Sequence, residues 1–319
     1  SAARRTGIRI ALLRVAYQRS GFQTSERPEQ KRFIEPSISK YLDHTEALAS
    51  HYDGDPLVSV GYAPHSVRAV SSSWLRQIAD ASNATGRIIH VHACEQEREL
   101  DECRAEHGID PIELLDEVGI LGERSTIVHA THVSEADRRR IAKKQSLVCA
   151  CPSTEKNLGD GFLRGAALLK HGIPIALGSD SQAEINLWGE ARAVEYQERL
   201  IEQRRNILVQ AHPRPPAFST ASVLWPMLNQ NGARSLGLPQ VGSMEVGAKA
   251  DLTCLDLNAP SMVGIQRETC LSQVIFSASP SAVKHVFVEG HHLVCDGHHQ
   301  AQEEVISAFK TLMYSLGQT

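Results

Sequence analysis

Six short apolar runs of β type, each followed by a stretch of helical character, constrain this chain more than any other feature. The runs cover residues 8–17, 57–62, 87–94, 126–133, 146–151 and 173–178. Between them the spacing predicts helices over 37–50, 71–84, 97–118, 134–144 and 162–171. Longer helices over 185–209 and 219–236 follow, joined by a Pro-rich link at 212–216. Strand and helix alternating in this way dictate a parallel sheet, because each helix must carry the chain back to the starting edge of the next strand. Ser134 with Asp137 adds an N-capping pair at the head of one helix.

The character changes at Val241, where short alternating segments are punctuated by Gly and Asp turns, the pattern of a small β domain. A closing helix is expected over 301–316. The chain therefore divides into an α/β part over 1–237, a β part over 238–300 and a terminal helix over 301–319.

Composition narrows the partners. With 319 residues, 42% of them hydrophobic, the chain can bury a sizeable core. Net charge is −4 and the 33 Lys and Arg are dispersed, so nothing marks a nucleic-acid or membrane surface. A small-molecule substrate is the expected partner, with a homodimer as the commonest soluble assembly. No apolar run reaches the ~18 residues of a membrane span. Arg9 and Arg14 interrupt the first apolar run, which reads as a sheet strand instead of a targeting segment. Seven scattered cysteines point to free thiols and a reducing, cytoplasmic setting. Cys149-Ala150-Cys151 has the wrong spacing for a zinc knuckle and reads as buried strand.

The strand ends collect the chemistry. A-P-H-S-V-R puts His65 and Arg68 after the second run; I-I-H-V-H-A-C-E-Q puts His92 and Glu95 at the end of the third. His129 falls in the fourth run, and G-S-D puts Asp180 after the sixth. In parallel α/β sheets the C-terminal strand ends face one common site, so four strands aim polar groups at one place.

Taken together, H-V-H-A-C-E-Q, I-V-H-A-T-H-V, I-A-L-G-S-D-S and G-S-M-E-V-G-A-K-A-D-L resemble the amidohydrolase superfamily. That resemblance implies a metal-dependent hydrolase with a (β/α)8 TIM-type barrel and a small β-sandwich. A-P-H-S-V-R, the H-A-C-E-Q variant, G-S-D-S-Q-A-E-I-N and E-Y-Q-E-R-L are similar to the N-formimino-L-glutamate deiminases of histidine degradation. The resemblance implies His92 and Asp180 as ligands of a zinc ion, with Asp180 also taking a proton from the attacking water. It implies Glu95 as the carrier of that proton to the leaving nitrogen, and His129 as the group that orients the water. His65 and Arg68 would contact the substrate, Arg68 through a carboxylate. The chemistry asks for such groups on its own terms: zinc lowers the pKa of a bound water to about 7, and a guanidinium fork binds two carboxylate oxygens at once.

In this superfamily a second H-x-H stands on the first barrel strand, and His90 and His92 invite that reading. Only three βα-type strands follow His92, so H-V-H is strand five and six of eight strands are present. A full barrel takes about 250 residues. The expectation is a family member lacking its first two strands and their paired ligands, binding zinc poorly and turning over little. Two alternatives stand beside the deiminase reading: another deaminase of the superfamily acting on a purine, pyrimidine or guanidino compound, and a noncatalytic fragment. His90 is expected to line the interior, His132 to pack behind the sheet, and His291, His292, His298 and His299 to be surface residues of a hairpin.

Overall fold

A computed structural model describes residues 2–212 and 219–317. Most of the Pro-rich link, residues 213–216, lies outside the described residues.

All six expected strands form: β1 (Ile10–Ala16), β2 (Val58–Pro64), β3 (Ile89–Ala93), β4 (Ser125–His129), β5 (Leu147–Ala150) and β6 (Ile175–Leu177). They lie side by side in chain order, and every neighbouring pair is parallel. Helices return the chain between them, and their apolar faces join the sheet in one large core that includes Ile78, Leu115, Ile127, Ile141, Val148 and Ile175. The ladder runs from β1 to β6 without a β1–β6 pair among the described residues, so the expected closed barrel is not formed by these six strands. β1 behaves as an edge: most of its residues are half-exposed and Val15 is largely open, whereas β2 beside it is almost entirely buried.

Helix boundaries depart from expectation where the backbone forbids continuation. The stretch 97–118 divides into Glu97–His107 and Pro111–Glu117, because Gly108 takes a left-handed conformation and Pro111 opens the second helix. The stretch 185–209 divides into Leu187–Glu202 and Ile207–Ala211, with Gln203 and Asn206 both left-handed. A short helix, Pro152–Leu158, was not expected; a proline at its start follows β5 directly. The Ser134–Asp137 capping box is present, each side chain bonding the other residue's backbone N–H.

Beyond residue 250 the chain makes a four-stranded antiparallel sheet from β7 (Leu252–Leu255), β8 (Val283–Val288), β9 (His291–Cys295) and β10 (His298–His299), in the order β10-β9-β8-β7. The expected sandwich is not seen: none of these strand residues is fully buried, so among the described residues no second layer covers the sheet. The helix Cys270–Ser277 packs against Leu187–Glu202 and adds Val274 to a small satellite core with Met262, Ala278 and Ala282. A terminal helix covers Gln302–Leu316.

One ionic knot joins the two sheets. Arg9, just ahead of β1, donates to Asp251 and pairs with Glu289, while its Nη1 donates to the Pro56 carbonyl at 2.7 Å. The Asp251 Oδ1 also accepts the Glu289 N–H at 2.9 Å, and Lys249 Nζ reaches Glu289 at 2.6 Å. The Arg9 side chain is only 9% exposed. Removing it leaves two carboxylates close together in a poorly solvated place, and breaking such a pair costs about 3–5 kcal/mol when fully buried. Arg9→Ala should therefore lower unfolding stability by about 2–4 kcal/mol, the lower range reflecting the partial exposure of both acids, read as the shift in an equilibrium urea midpoint. A shift within error would show that the knot contributes nothing.

Candidate active site

Alternation along β3 puts His90 and His92 on one face of the strand, yet the two do different things. His90 donates from Nε2 to the Ser235 carbonyl at 2.8 Å, deep in the sheet. His92 stands one step nearer the strand's end. Its Nδ1 donates to the His65 carbonyl at 2.7 Å, and its backbone N–H donates to the same oxygen at 3.1 Å. This arrangement follows from a backbone irregularity. The β2–β3 contacts pair Tyr62 with Ile89 and Ser66 with His92, four steps on one chain against three on the other. The extra residue in A-P-H-S carries the His65 carbonyl against His92.

With its Nδ1 proton committed, His92 keeps the Nε2 lone pair free, the state a metal ligand needs. Burial, and after it the charge of His129, holds its pKa below the ordinary histidine value against the opposing pull of the His65 carbonyl. The rings of His65 and His92 lie 4.9 Å apart and those of His92 and His129 5.6 Å apart, so three imidazoles line up across β2, β3 and β4. Tyr17, after β1, closes the row at 4.5 Å from the His65 ring.

His129 is the crossing point. Its Nε2 lies 3.6 Å from Glu95 Oε1 and 3.7 Å from Asp180 Oδ2, and its Nδ1 lies 3.5 Å from Glu155 Oε1. These are ion-pair distances, and Nδ1 makes no well-formed hydrogen bond. Burial works to lower its pKa, but the Glu155 contact and the charges of Glu95, Glu155 and Asp180 together outweigh it and hold the imidazole above its ordinary value. His65 is the opposite case: burial, His92 and the Arg68 guanidinium push it down to about 3, so it is a neutral ring.

Backbone strain marks the same place. Cys94 (φ 55°), His129 (φ 71°), Ala130 (φ 56°) and Asp180 (φ 45°) all hold left-handed conformations that cost side-chain-bearing residues energy. All four lie at or just past strand C-termini. Asp180 is kept there by Thr154, whose Oγ1 donates to the Ser179 carbonyl at 3.2 Å and accepts the Ser181 N–H at 3.1 Å.

Every site residue expected from the sequence reaches this cluster. Arg68 Nη2 lies 3.6 Å from Glu95 Oε2, so its guanidinium neighbours a carboxylate of the cluster and not open solvent alone. His132 stays outside, donating Nε2–H to the Asp160 carbonyl at 2.6 Å. Glu155 and Glu99 escaped sequence reasoning. Glu155 sits on the unforeseen helix, fully buried, accepting the Cys151 N–H at 3.0 Å while facing His129. Its signal was the Pro152 helix start one turn ahead. Glu99, one turn beyond Glu95, accepts the Glu95 N–H at 3.3 Å, and burial pushes its carboxyl up to about 7.

A divalent cation fits this chemistry. His129, Cys151 and Asp180 each offer a ligand atom, all within 4.8 Å of one another; Cys151, expected only as buried strand, joins this group, while the expected ligand His92 stands next to it, its ring 5.6 Å from that of His129. A cavity of about 1100 Å³ lies elsewhere, at the strands' N-terminal ends against Ile88, Arg124, Ser146 and Pro174; none of the converging residues lines it. A cavity of about 480 Å³ opens beside His65, bounded by Tyr17, Arg14, Arg32, Glu35 and Phe33.

The parallel sheet with histidines and acids converging at its C-terminal edge defines a metal-dependent hydrolase of the α/β class. The chain belongs to the amidohydrolase family, whose model matches residues 1–293. It is 33% identical over 316 residues to a formimidoylglutamate deiminase from Pseudomonas aeruginosa, covering 99% of this chain and 68% of that protein. It is 31% identical over 244 residues to a 5-methylthioadenosine/S-adenosylhomocysteine deaminase from Pyrococcus furiosus, covering 76% of this chain and 55% of that protein. A crystal structure of an amidohydrolase from Brucella melitensis superposes with a TM-score of 0.88 at 30% identity, covering 99% of this chain and 68% of the other. An adenosine deaminase from Xanthomonas campestris solved with bound zinc shares the fold at a TM-score of 0.83, with 22% identity and coverage of 99% and 68%. The chain thus spans about two thirds of the length of the deiminase and less of several 5-methylthioadenosine/S-adenosylhomocysteine deaminases. With the family match and relatives named as a deiminase and a deaminase, the chain is that of a hydrolytic deaminase enzyme. Among the described residues no helix is long and apolar enough to cross a membrane, and all seven cysteines are free.

A His65 pKa near 3 in the folded state against an ordinary 6.5 means that the unfolded chain binds the extra proton between those values, so stability contributed here falls as pH drops from about 6.5 toward 3. The His65 ring resonances should stay flat between about pH 5 and 8 in an NMR titration. A midpoint near 6.5 would contradict the burial and charge pattern described.

Proposed function

We propose that this chain carries the catalytic end of a zinc-dependent aminohydrolase that converts N-formimino-L-glutamate and water to N-formyl-L-glutamate and ammonia. The observation that carries it is the meeting of His92, His129, Asp180 and Glu95 at one edge of the sheet with Arg68 beside Glu95. The 33% identity to a formimidoylglutamate deiminase, running over nearly all of the chain, supports the choice of substrate.

His92 and Asp180 would hold the ion. When bound, zinc lowers the pKa of a coordinated water toward about 7 and so makes hydroxide available near neutrality. The chain's own residues do the rest. Asp180 and Glu95 flank His129 Nε2, within 3.7 Å on either side, so a proton taken from the attacking water by Asp180 has Glu95 as a relay to the departing ammonia. Held above its ordinary pKa, His129 offers a proton or a charged N–H to the developing tetrahedral centre, and Glu155 orients its ring from behind. His65, kept neutral, contacts the substrate without repelling the cation. Arg68 is placed to bind a substrate carboxylate, and its Nε, buried without a partner, has donor capacity to spare.

The strands lie in the sequential order of a singly wound sheet, and among the described residues β1 and β6 each pair with one strand only. Those edges are where further strands of a (β/α)8 barrel would add, and the unburied antiparallel sheet is where a second sandwich layer would lie. Since the chain spans 68% of the deiminase's length, the activity is proposed for the protein that carries this segment.

A second reading has one observation in its favour. Phe33, 53% exposed, stands with Tyr17 on the cavity beside His65, and an aromatic wall suits a purine ring, the substrate type named for several relatives.

Ammonia release from N-formimino-L-glutamate tests the main reading. Glu95→Gln should lower kcat by about 10²–10⁴, the worth of a positioned proton carrier. Arg68→Ala should raise KM by about 10–100-fold, the equivalent of a charge-assisted hydrogen bond of about 1.5–3 kcal/mol, with a smaller effect on kcat. Equal turnover by the Glu95→Gln protein would remove Glu95 from the mechanism.

A further inference from the structure

The antiparallel sheet carries a second cluster of ligand-type side chains, on a different sheet from the catalytic residues and unused by the mechanism above. His285 lies on β8, His292 and Cys295 on β9, and one ligand atom from each falls within 4.8 Å of the other two. The register explains how they meet. Val286 pairs with Val294, which places His285 and Cys295 on the same face, one residue to the side of that pair. His292 is three residues from Cys295, and in a regular strand an odd separation would put it on the opposite face. The ladder shifts between Val286 and Phe287, so that Phe287 faces His292. That bulge turns His292 onto the face that His285, Phe287 and Cys295 already share.

The local geometry suits a cation. His292 Nε2 and His285 Nδ1 face each other at 3.1 Å, close to the spacing of two nitrogens bound to one tetrahedral ion at about 2.0 Å each. The Phe287 ring stacks on His292 at 4.4 Å and 14°, which fixes the orientation of that imidazole. The Asp296 carboxylate lies 4.0 Å from the other nitrogen of His285 and 3.9 Å from Cys295 Sγ. A carboxylate behind a ligating histidine is the usual outer support of such sites.

We propose that His285, His292 and Cys295 form a second metal site, taking one zinc ion with two imidazoles and one thiolate and leaving the fourth position to water. The mixed nitrogen and sulfur set selects a borderline cation over magnesium or calcium, which prefer oxygen. The ion ties β8 to β9, the two inner strands of the sheet, where the bulge weakens their ladder.

The test uses this chain, reduced, titrated with Zn²⁺ alone against a chromophoric chelator, and with Co²⁺ as a spectroscopic stand-in. A His92→Ala/Asp180→Asn double variant should still bind one zinc equivalent and give a thiolate-to-cobalt charge-transfer band. Cys295→Ser should abolish that band, which separates Cys295 from Cys149 and Cys151. Cys295→Ser and His285→Ala remove ligands themselves and should each weaken zinc binding by about 100-fold or more in that background, at or beyond the ~10–100-fold that losing an outer supporting group costs. Cys295 is exposed, so its substitution leaves the fold standing, and far-UV circular dichroism checks both variants. No saturable equivalent in the double variant, a band that survives Cys295→Ser, or an affinity unchanged by His285→Ala would each overturn the proposal.

Discussion

Everything at the sheet's working edge depends on one contact, the donation from His92 Nδ1 to the carbonyl of His65. It fixes which nitrogen of His92 is free, and it re-joins β2 to β3 where the ladder has slipped by one residue. The same oxygen takes the His92 backbone N–H, so position and tautomer are set by a single acceptor. From there the row of rings passes to His129, whose left-handed backbone turns its imidazole between three carboxylates. The strain stored at His129, Ala130 and Asp180 is tolerated because buried helices and the Thr154 contacts hold both loops in place.

Charge is arranged around this row in opposite senses. His65 and His92 are kept neutral by burial and by neighbouring positive groups, and His129 is held toward its protonated form by the acids around it. Adjacent imidazoles with their proton affinities pushed apart are what a site needs if one group is to bind a cation and another is to handle a proton. Glu99, raised to about 7 behind Glu95, extends the same division into a second layer.

Much of this was legible in the sequence, because the signals were local. The six strand runs were found within a few residues, since buried parallel strands read as short apolar runs between helices. The histidines and acids were found because they fall at strand ends, where parallel sheets gather chemistry. Helix breaks at Gly108 and Gln203 depended on left-handed turns that spacing alone does not reveal. Glu155 was invisible because its helix follows β5 without a loop, and its burial against His129 is a tertiary fact. The His285, His292 and Cys295 cluster lay beyond a related limit: histidine-rich composition marks His291, His292, His298 and His299 together as surface residues of a hairpin, but the bulge selects His292 of the four and pairs it with a residue from another strand. Sheet closure was expected from family likeness, and the strand pairing observed ends at β6.

The account rests on the claim that the sheet-edge cluster is built for a small amidine carrying a carboxylate and not for a purine. The direct measurement is kcat/KM for N-formimino-L-glutamate and for 5′-methylthioadenosine, taken side by side with zinc present. A preference for the formimino compound of about 10² or more is predicted, in keeping with a site whose half-buried Arg68 is left without a carboxylate partner by the wrong substrate. Equal rates, or a preference for the nucleoside, would contradict the assignment.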